Sequence, residues 1–106
     1  MKAMISQPMA GKSKKEIIET RRQAIHVLYD LGYDVVNTLF TDERYDERQM
    51  KERGIVNTHL YFLAKSLEKM SECDVVYFTK GWAAAQGCRV ERDVAKAYGL
   101  MIIYEE

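Results

Sequence analysis

The chain has few cysteines, a single proline and no hydrophobic run long enough to cross a bilayer. Its two cysteines, Cys73 and Cys88, form no CxxC pattern, and neither His26 nor His59 stands at metal-ligand spacing from them. We therefore expect free thiols, no disulfide framework and no metal site. The opening residues also lack the apolar core of a secretory signal, so we expect a cytoplasmic protein with no membrane partner.

A net charge of one sign is absent as well, because 16 basic residues balance 16 acidic ones. The overall field thus gives no general attraction for nucleic acid, and any anionic ligand must be bound locally. Neither of the glycine-rich phosphate-binding patterns, GxxxxGK[ST] and GxGxxG, occurs. The sequence indicates no cofactor, and its length of 106 residues fits a single domain spanning residues 1–106.

The chain does contain short apolar segments, and these alternate with segments that have helical periodicity. Strands are predicted at residues 2–6, 35–36, 75–78 and 101–104. Ser13 and Glu16 form a capping-box pattern that starts the first helix, and Gly32 follows the end of that helix. Four strands alternating with helices predict an α/β fold with a mostly parallel sheet covered on both faces.

The other two helices are predicted from their apolar stripes. The second helix presents Leu60, Leu63, Ala64, Leu67 and Met70, and the third presents Val90, Val94 and Ala97. Residues 41–57 are strongly charged and show no core stripe. We interpret them as a surface excursion or a partly ordered loop.

In an open parallel sheet, ligands bind outside the carboxyl ends of the strands, and two loops here qualify. The first, residues 6–11, leads to a helix whose N-terminal amides can hold an anion, although an ordinary strand-to-helix turn has the same pattern. The second, residues 81–87, combines small side chains with Trp82. This tryptophan either stacks on a nucleobase or covers the edge of the core. The sequence thus predicts a nucleoside or nucleotide ligand at these loops.

Glu91 is the candidate reactive group. It lies four residues after Gly87, in the early turns of the predicted third helix and on the side of the second loop. The helix dipole there favours an ionised carboxylate. A charged carboxylate beside a sugar can attack the anomeric carbon or stabilise an oxocarbenium-like transition state. The alternative is a surface glutamate paired with a neighbouring lysine or arginine.

Three segments, MISQPMAGKS, ECDVVYF and GWAAAQGCRVERDVAKAYG, resemble the nucleoside 2-deoxyribosyltransferase-like family, especially its short members of unknown function. The resemblance covers nearly the whole chain and implies a Rossmann-like, flavodoxin-related sheet of four or five strands. It also implies cleavage or transfer of the N-glycosidic bond of a deoxynucleoside or its 5′-phosphate, with Glu91 as the nucleophile. By position, Ser6, Gln7, Met9 and Gly11 would line the base and sugar pocket, and Gln86 and Gly87 would offer backbone amides to the sugar or phosphate end. Pro8, Gly81 and Trp82 complete the candidate binding residues.

Two positions depart from the family's catalytic pattern. Family enzymes carry an aspartate that helps to protonate the leaving base where Ser66 stands, and a serine or aspartate for phosphate or substrate contact where Ala85 stands. Ser66 is retained among the candidate binding residues. A second hypothesis is therefore a nucleotide-binding module without chemistry, and a third is an interaction protein that binds no small ligand.

The assembly state is also part of the prediction. Family members commonly assemble so that neighbouring subunits complete the pocket. The apolar segment at residues 60–63, which includes Tyr61, gives a separate reason to expect association. We therefore expect a homo-oligomer, at least a dimer.

Overall fold

The computed structural model describes residues 1–40 and 46–105 of the chain. Within them, strands and helices alternate as the sequence predicts. The elements are β1 (Lys2–Ser6), α1 (Lys14–Asp30), β2 (Asp34–Val35), α2 (Glu47–Glu52), α3 (Thr58–Met70), β3 (Val75–Phe78), α4 (Gln86–Ala97) and β4 (Met101–Tyr104). A single 3-10 turn, Trp82–Ala84, stands between β3 and α4. None of the helices in the described residues is long and apolar enough to cross a membrane.

The four strands form one parallel sheet in the order β2-β1-β3-β4. Ser6, the last residue of β1, pairs with Phe78, the last residue of β3. The chain moves outward from β1 to β2 and then returns to the other side of β1 to form β3, so the strand order reverses between β1 and β3. This order corresponds to the first four strands of flavodoxin-like sheets. The Rossmann-like α/β fold expected from the sequence is confirmed.

Alternate residues of each strand pack on opposite faces of the sheet. Ala3 and Ile5 of β1 face α1, together with Val75 and Tyr77 of β3. Met4 of β1 faces the other side, where Met70 of α3 and Ala95 of α4 complete a second cluster. Helices therefore cover both faces, and the central strands β1 and β3 are buried on both sides.

The ends of α1 follow the local signals in the sequence. The Ser13 hydroxyl accepts a hydrogen bond from the Glu16 backbone N–H at 3.1 Å, and the Glu16 carboxylate accepts one from the Ser13 N–H at 3.2 Å. At the other end, Gly32 adopts a φ of +87°, a left-handed conformation that a side chain would disfavour. The capping box fixes where the first loop ends.

Of the two alternatives for residues 41–57, the largely exposed residues 46–57 fit a surface excursion, but they are not simply a loop. Residues 46–57 contain α2, which begins after the N-cap Asp46 and buries Met50. Met50 is the buried apolar residue of this helix. About one and a half turns are too few to produce a periodic apolar stripe. Residues 41–45, which the same prediction covers, lie outside the described residues.

The predicted apolar stripes of α3 and α4 are only partly buried. In α3, Met70 is buried and Leu67 packs on the core, but Leu60 is 59% exposed and Ala64 is exposed. A helix of 13 residues is about 20 Å long, whereas a four-residue strand spans only about 13 Å, so the sheet is too short to cover all of α3.

In α4, the inward face is only partly the predicted one, because Val94 packs on the core but Ala97 does not. Ala97 is exposed, and Val90 and Val94 are half-buried. The buried residues are Cys88, Glu91 and Ala95. A pattern read from apolar residues alone places a glutamate on the solvent side, and the structure places this one in the interior.

Candidate functional site at the carboxyl ends of β1 and β3

The two candidate loops meet where the strand order reverses. The Thr79 backbone N–H donates to the Ser6 carbonyl at 3.0 Å, which extends the β1-β3 pairing by one residue. Beyond it, a Cβ atom added at Gly81 would lie 3.7 Å from Cγ of Pro8. Gly81 also has a φ of +84°, so this tight turn after β3 favours glycine. Ligands of open parallel sheets bind at such a position.

Glu91 lies in the interior beside this edge. Its side chain is 9% exposed, and burial raises the pKa of the carboxyl group to about 7, against opposing effects of the Ser6 hydroxyl and the Arg21 guanidinium. Within residues 1–40 and 46–105, no ion pair joins Glu91 to a basic group. Burial of the carboxyl group therefore outweighs the stabilisation of its charge that was expected from the helix dipole. Glu91 is the sixth residue of α4, beyond the first turn, to which the dipole effect is confined.

Ser6 faces Glu91 from the end of β1. Its side chain is 1% exposed, and its hydroxyl has no hydrogen-bond partner in the described part of the chain. The hydroxyl is nonetheless close enough to lower the pKa of both Glu91 and the neighbouring Cys88. Burial and the Glu91 charge act the other way and leave the pKa of the Cys88 thiol raised, so the thiol stays protonated at neutral pH. The carboxylate, and not the thiol, is the group suited to nucleophilic attack.

Arg21 of α1 acts electrostatically on Glu91 and was not among the residues predicted from the sequence. It is 6% exposed, and its Nη2 donates to Thr38 Oγ1 at 3.3 Å. The Thr38 hydroxyl in turn donates to the Ile5 carbonyl at 3.1 Å, which ties the guanidinium to β1. Burial lowers the pKa of Arg21 to about 10, so it remains charged at neutral pH. The sequence does contain a signal for the burial of Arg21. This arginine lies about one turn before Ala24 and two turns before Leu28, on the same buried face of α1.

A second group of polar side chains lies on the α1 face of the same edge. Gln7 donates from Nε2 to the Ile17 carbonyl at 3.0 Å, which leaves its Oε1 without a partner among the residues described. Thr79 is completely buried, and its hydroxyl is likewise unpartnered in that part of the chain. A cleft of about 60 Å³ opens beside Thr79. Its lining comprises Pro8, Lys12, Glu16, Ile17, Thr20, Thr79 and Lys80.

The remaining candidate residues lie around these two groups. Trp82 is half-buried and stacks on Tyr104 with ring centroids 5.2 Å apart, and it also contacts Phe78. This packing matches a residue that covers the edge of the core. Met9, Gly11 and Gln86 are exposed, and Gly87 is half-buried in the first turn of α4.

Ser66 is not joined to the buried groups. It is half-buried on α3, and within the described residues no hydrogen bond links its hydroxyl to Glu91 or Ser6. Besides Arg21, the site residues that the sequence did not predict are Thr79, Lys80 and Lys12. The signal available for Thr79 and Lys80 is that they directly follow the predicted strand at residues 75–78, where parallel sheets place functional groups.

A doubly wound α/β domain with a buried carboxyl group at its switch point is the class that the fold and the site define. The chain belongs to the family described as a domain of unknown function (DUF4406), which it matches over residues 1–104. No curated protein and no solved structure matches the chain. The family description states no activity, so the resemblance to nucleoside 2-deoxyribosyltransferases stays a prediction.

Proposed function

We propose that this protein binds a nucleoside or nucleotide at the carboxyl ends of β1 and β3 and cleaves its N-glycosidic bond through Glu91. The observation that carries the proposal is a carboxyl group that is 9% exposed and has no ion-pair partner in the described residues, beside the buried Ser6 hydroxyl. Removing a carboxylate from water without a partner costs several kcal/mol, roughly. Such groups with perturbed pKa values concentrate at functional sites.

The chemistry proceeds in two displacements. An oxygen of the ionised Glu91 carboxylate attacks the anomeric carbon, the carbon-nitrogen bond to the base breaks, and the bonding electrons leave with the base nitrogen. Water, or the nitrogen of a second base, then attacks the same carbon and releases Glu91. The proton lost by the attacking water balances the proton taken up by the departing base, so hydrolysis yields a free sugar and a neutral base.

The pKa of Glu91 sets the conditions for this reaction. With a pKa of about 7, the carboxyl group is half ionised at neutral pH, and only the ionised form is a nucleophile. We expect the rate of base release to rise with pH to a plateau above neutrality. The Arg21 guanidinium favours the ionised form and therefore supports the first step.

The test is base release from a panel of deoxynucleosides and their 5′-monophosphates, followed by chromatography. Glu91→Gln should abolish the signal, because an amide is a poor nucleophile, whereas Glu19→Gln, an exposed glutamate of α1, should leave it unchanged. Acid-quenched protein should carry a glycosyl adduct on Glu91 by mass spectrometry. An absence of turnover across the panel, or equal rates for wild type and Glu91→Gln, would reject the proposal.

A non-catalytic nucleotide-binding module is the second candidate. Two observations favour it: Ala85 gives the N-terminus of α4 no side-chain cap, and the Ser66 hydroxyl is not joined to the Glu91 group in the described residues. Nucleotides would then raise the melting temperature without base release, and Glu91→Ala would change affinity alone.

A further inference from the structure

The α1 face of the same sheet edge carries a cationic cleft that the glycosidic chemistry does not use. The cleft lies between the first turn of α1 and the end of β3, and Lys12 and Lys80 are on its rim. In residues 1–40 and 46–105, neither lysine has an ion-pair partner. Both lysines are exposed and can bind an anion, and Lys12 also acts electrostatically on the nearby Glu16 carboxylate.

The one acidic residue of the cleft lining is already engaged. The Glu16 carboxylate accepts the Ser13 backbone N–H at 3.2 Å, and this hydrogen bonding lowers the pKa of Glu16. Its negative charge offsets one of the two lysine charges, so the cleft retains a net positive charge. The N-terminus of α1 adds to the positive potential.

Thr79, one of the residues that line the cleft, carries a hydrogen-bonding group that is unpaired in the described residues. The Thr79 hydroxyl is completely buried and has no partner in the described part of the chain. Native proteins leave few buried hydroxyl groups unpaired, and each such group calls for a water, an ion or a ligand. A hydroxyl that lines a positively charged cleft can donate to an oxyanion.

The size of the cleft restricts what can enter. Its volume of about 60 Å³ is small and leaves room for one tetrahedral oxyanion. An anion held by two lysines and a hydroxyl, in a space this small, has the chemistry of a phosphate group.

We propose that the cleft formed by Lys12, Lys80 and Thr79 binds the phosphate group of a nucleoside monophosphate. The inference rests on the proposed function for the nucleoside part of the ligand, and it selects the monophosphate over the unphosphorylated nucleoside. It does not involve the α4 N-terminus, to which the sequence resemblance assigns the phosphate end.

The test uses inorganic phosphate as the first probe, in calorimetric titrations of the purified protein at low ionic strength. Lys12→Ala and Lys80→Ala should each weaken phosphate binding by about tenfold, since a hydrogen bond to a charged group is lost. Lys15→Ala removes an equally exposed lysine of α1 that is not part of the cleft lining, and it should have little effect. An equal loss in all three variants would indicate unspecific charge attraction and would overturn the proposal, as would an absence of phosphate binding.

Thr79→Val provides a separate readout. The substitution keeps the shape of a buried β-branched residue and removes the unpaired hydroxyl, so the melting temperature should hold or rise while phosphate affinity falls severalfold. Unchanged phosphate affinity in Thr79→Val would remove the hydroxyl from the site and reject the proposal as stated.

Base-release assays with a nucleoside and its own monophosphate distinguish a failure of this inference from a failure of the proposed function. Base release that is faster from monophosphates, is inhibited by free phosphate and loses this preference in Lys80→Ala supports both. Equal release from both substrates without phosphate inhibition rejects the phosphate site alone. Phosphate binding that depends on the two lysines, with no base release from any substrate, rejects the glycosidic function alone.

Discussion

Replacing Glu91 by glutamine tests the central physical claim, because it removes the charge and keeps the volume of the side chain. In the folded chain the pKa of this carboxyl group is about 7, compared with an ordinary value of 4.5. The folded state therefore binds the proton more tightly than the unfolded state does. As pH rises from the lower value through the higher one, folding must take up a proton from solution or bury a charge, and stability falls.

The magnitude follows from the difference between the two pKa values. At about 1.4 kcal/mol per pKa unit, ionised Glu91 costs the fold ~3 kcal/mol above pH 7, and almost none of this cost is present below pH 4.5. Glu91→Gln lacks this cost at any pH. Relative to the wild type, the variant should gain ~3 kcal/mol between about pH 4.5 and about pH 8.

Urea denaturation at these two pH values measures the effect. For a domain of this size the gain corresponds to a midpoint shift on the order of 2 M urea. Glu19→Gln, on an exposed part of α1, is the control and should follow the wild type at both pH values. A difference between Glu91→Gln and wild type that does not change with pH would show that burial does not perturb Glu91. A variant less stable than wild type at pH 8 would show that partners stabilise the carboxylate.

Three further predictions use other residues. Arg21→Met removes a charge that lowers the pKa of Glu91, so the pH at which stability falls should move upward in urea titrations, and an unchanged pH would exclude the electrostatic coupling. Ala85→Ser should add about 1 kcal/mol in urea unfolding, because Ala85 occupies an N-cap with extended geometry and no side-chain hydrogen bond; no gain would mean that the α4 N-terminus is already satisfied. Light scattering should give the mass of at least a dimer, consistent with Leu60 at 59% exposure and Val56 at 98%, and a monomer mass would refute the predicted association.

Strand and helix positions were predictable where local chemistry determines them. The capping box at Ser13, the glycine after α1 and the apolar run of β3 each act over a few residues, and the structure has all three. The turn and a half of α2 was missed because it is held by Met50 alone, and no periodicity can be read from one apolar residue. The exposed half of α3 was missed because the length of the sheet it packs on is a tertiary property.

The site was predictable to the level of the loops but not of its buried polar groups. The rule for parallel sheets and the resemblance both indicate the segments after β1 and β3, and the structure brings these together at Pro8 and Gly81. The burial of Glu91 and Arg21 contradicts their average tendencies, since arginine and glutamate are rarely buried in proteins. The local sequence pattern therefore does not predict the burial of Glu91 and Arg21, because tertiary structure buries them against the usual tendency of their residue types.

The ends of β1 and β3 explain how one edge of the sheet can serve two proposed subsites. Because successive side chains of a strand point to opposite faces, Ser6 turns toward Glu91 on α4 while Gln7 turns toward Ile17 on α1. Thr79 follows β3 on the α1 side, next to the lysine cleft. A ligand with a sugar and a phosphate can thus address both faces only by lying across the edge of the sheet. In the proposed pose the ligand gives a partner to the Thr79 hydroxyl, which is unpartnered in the described residues, so binding should raise the melting temperature of the protein.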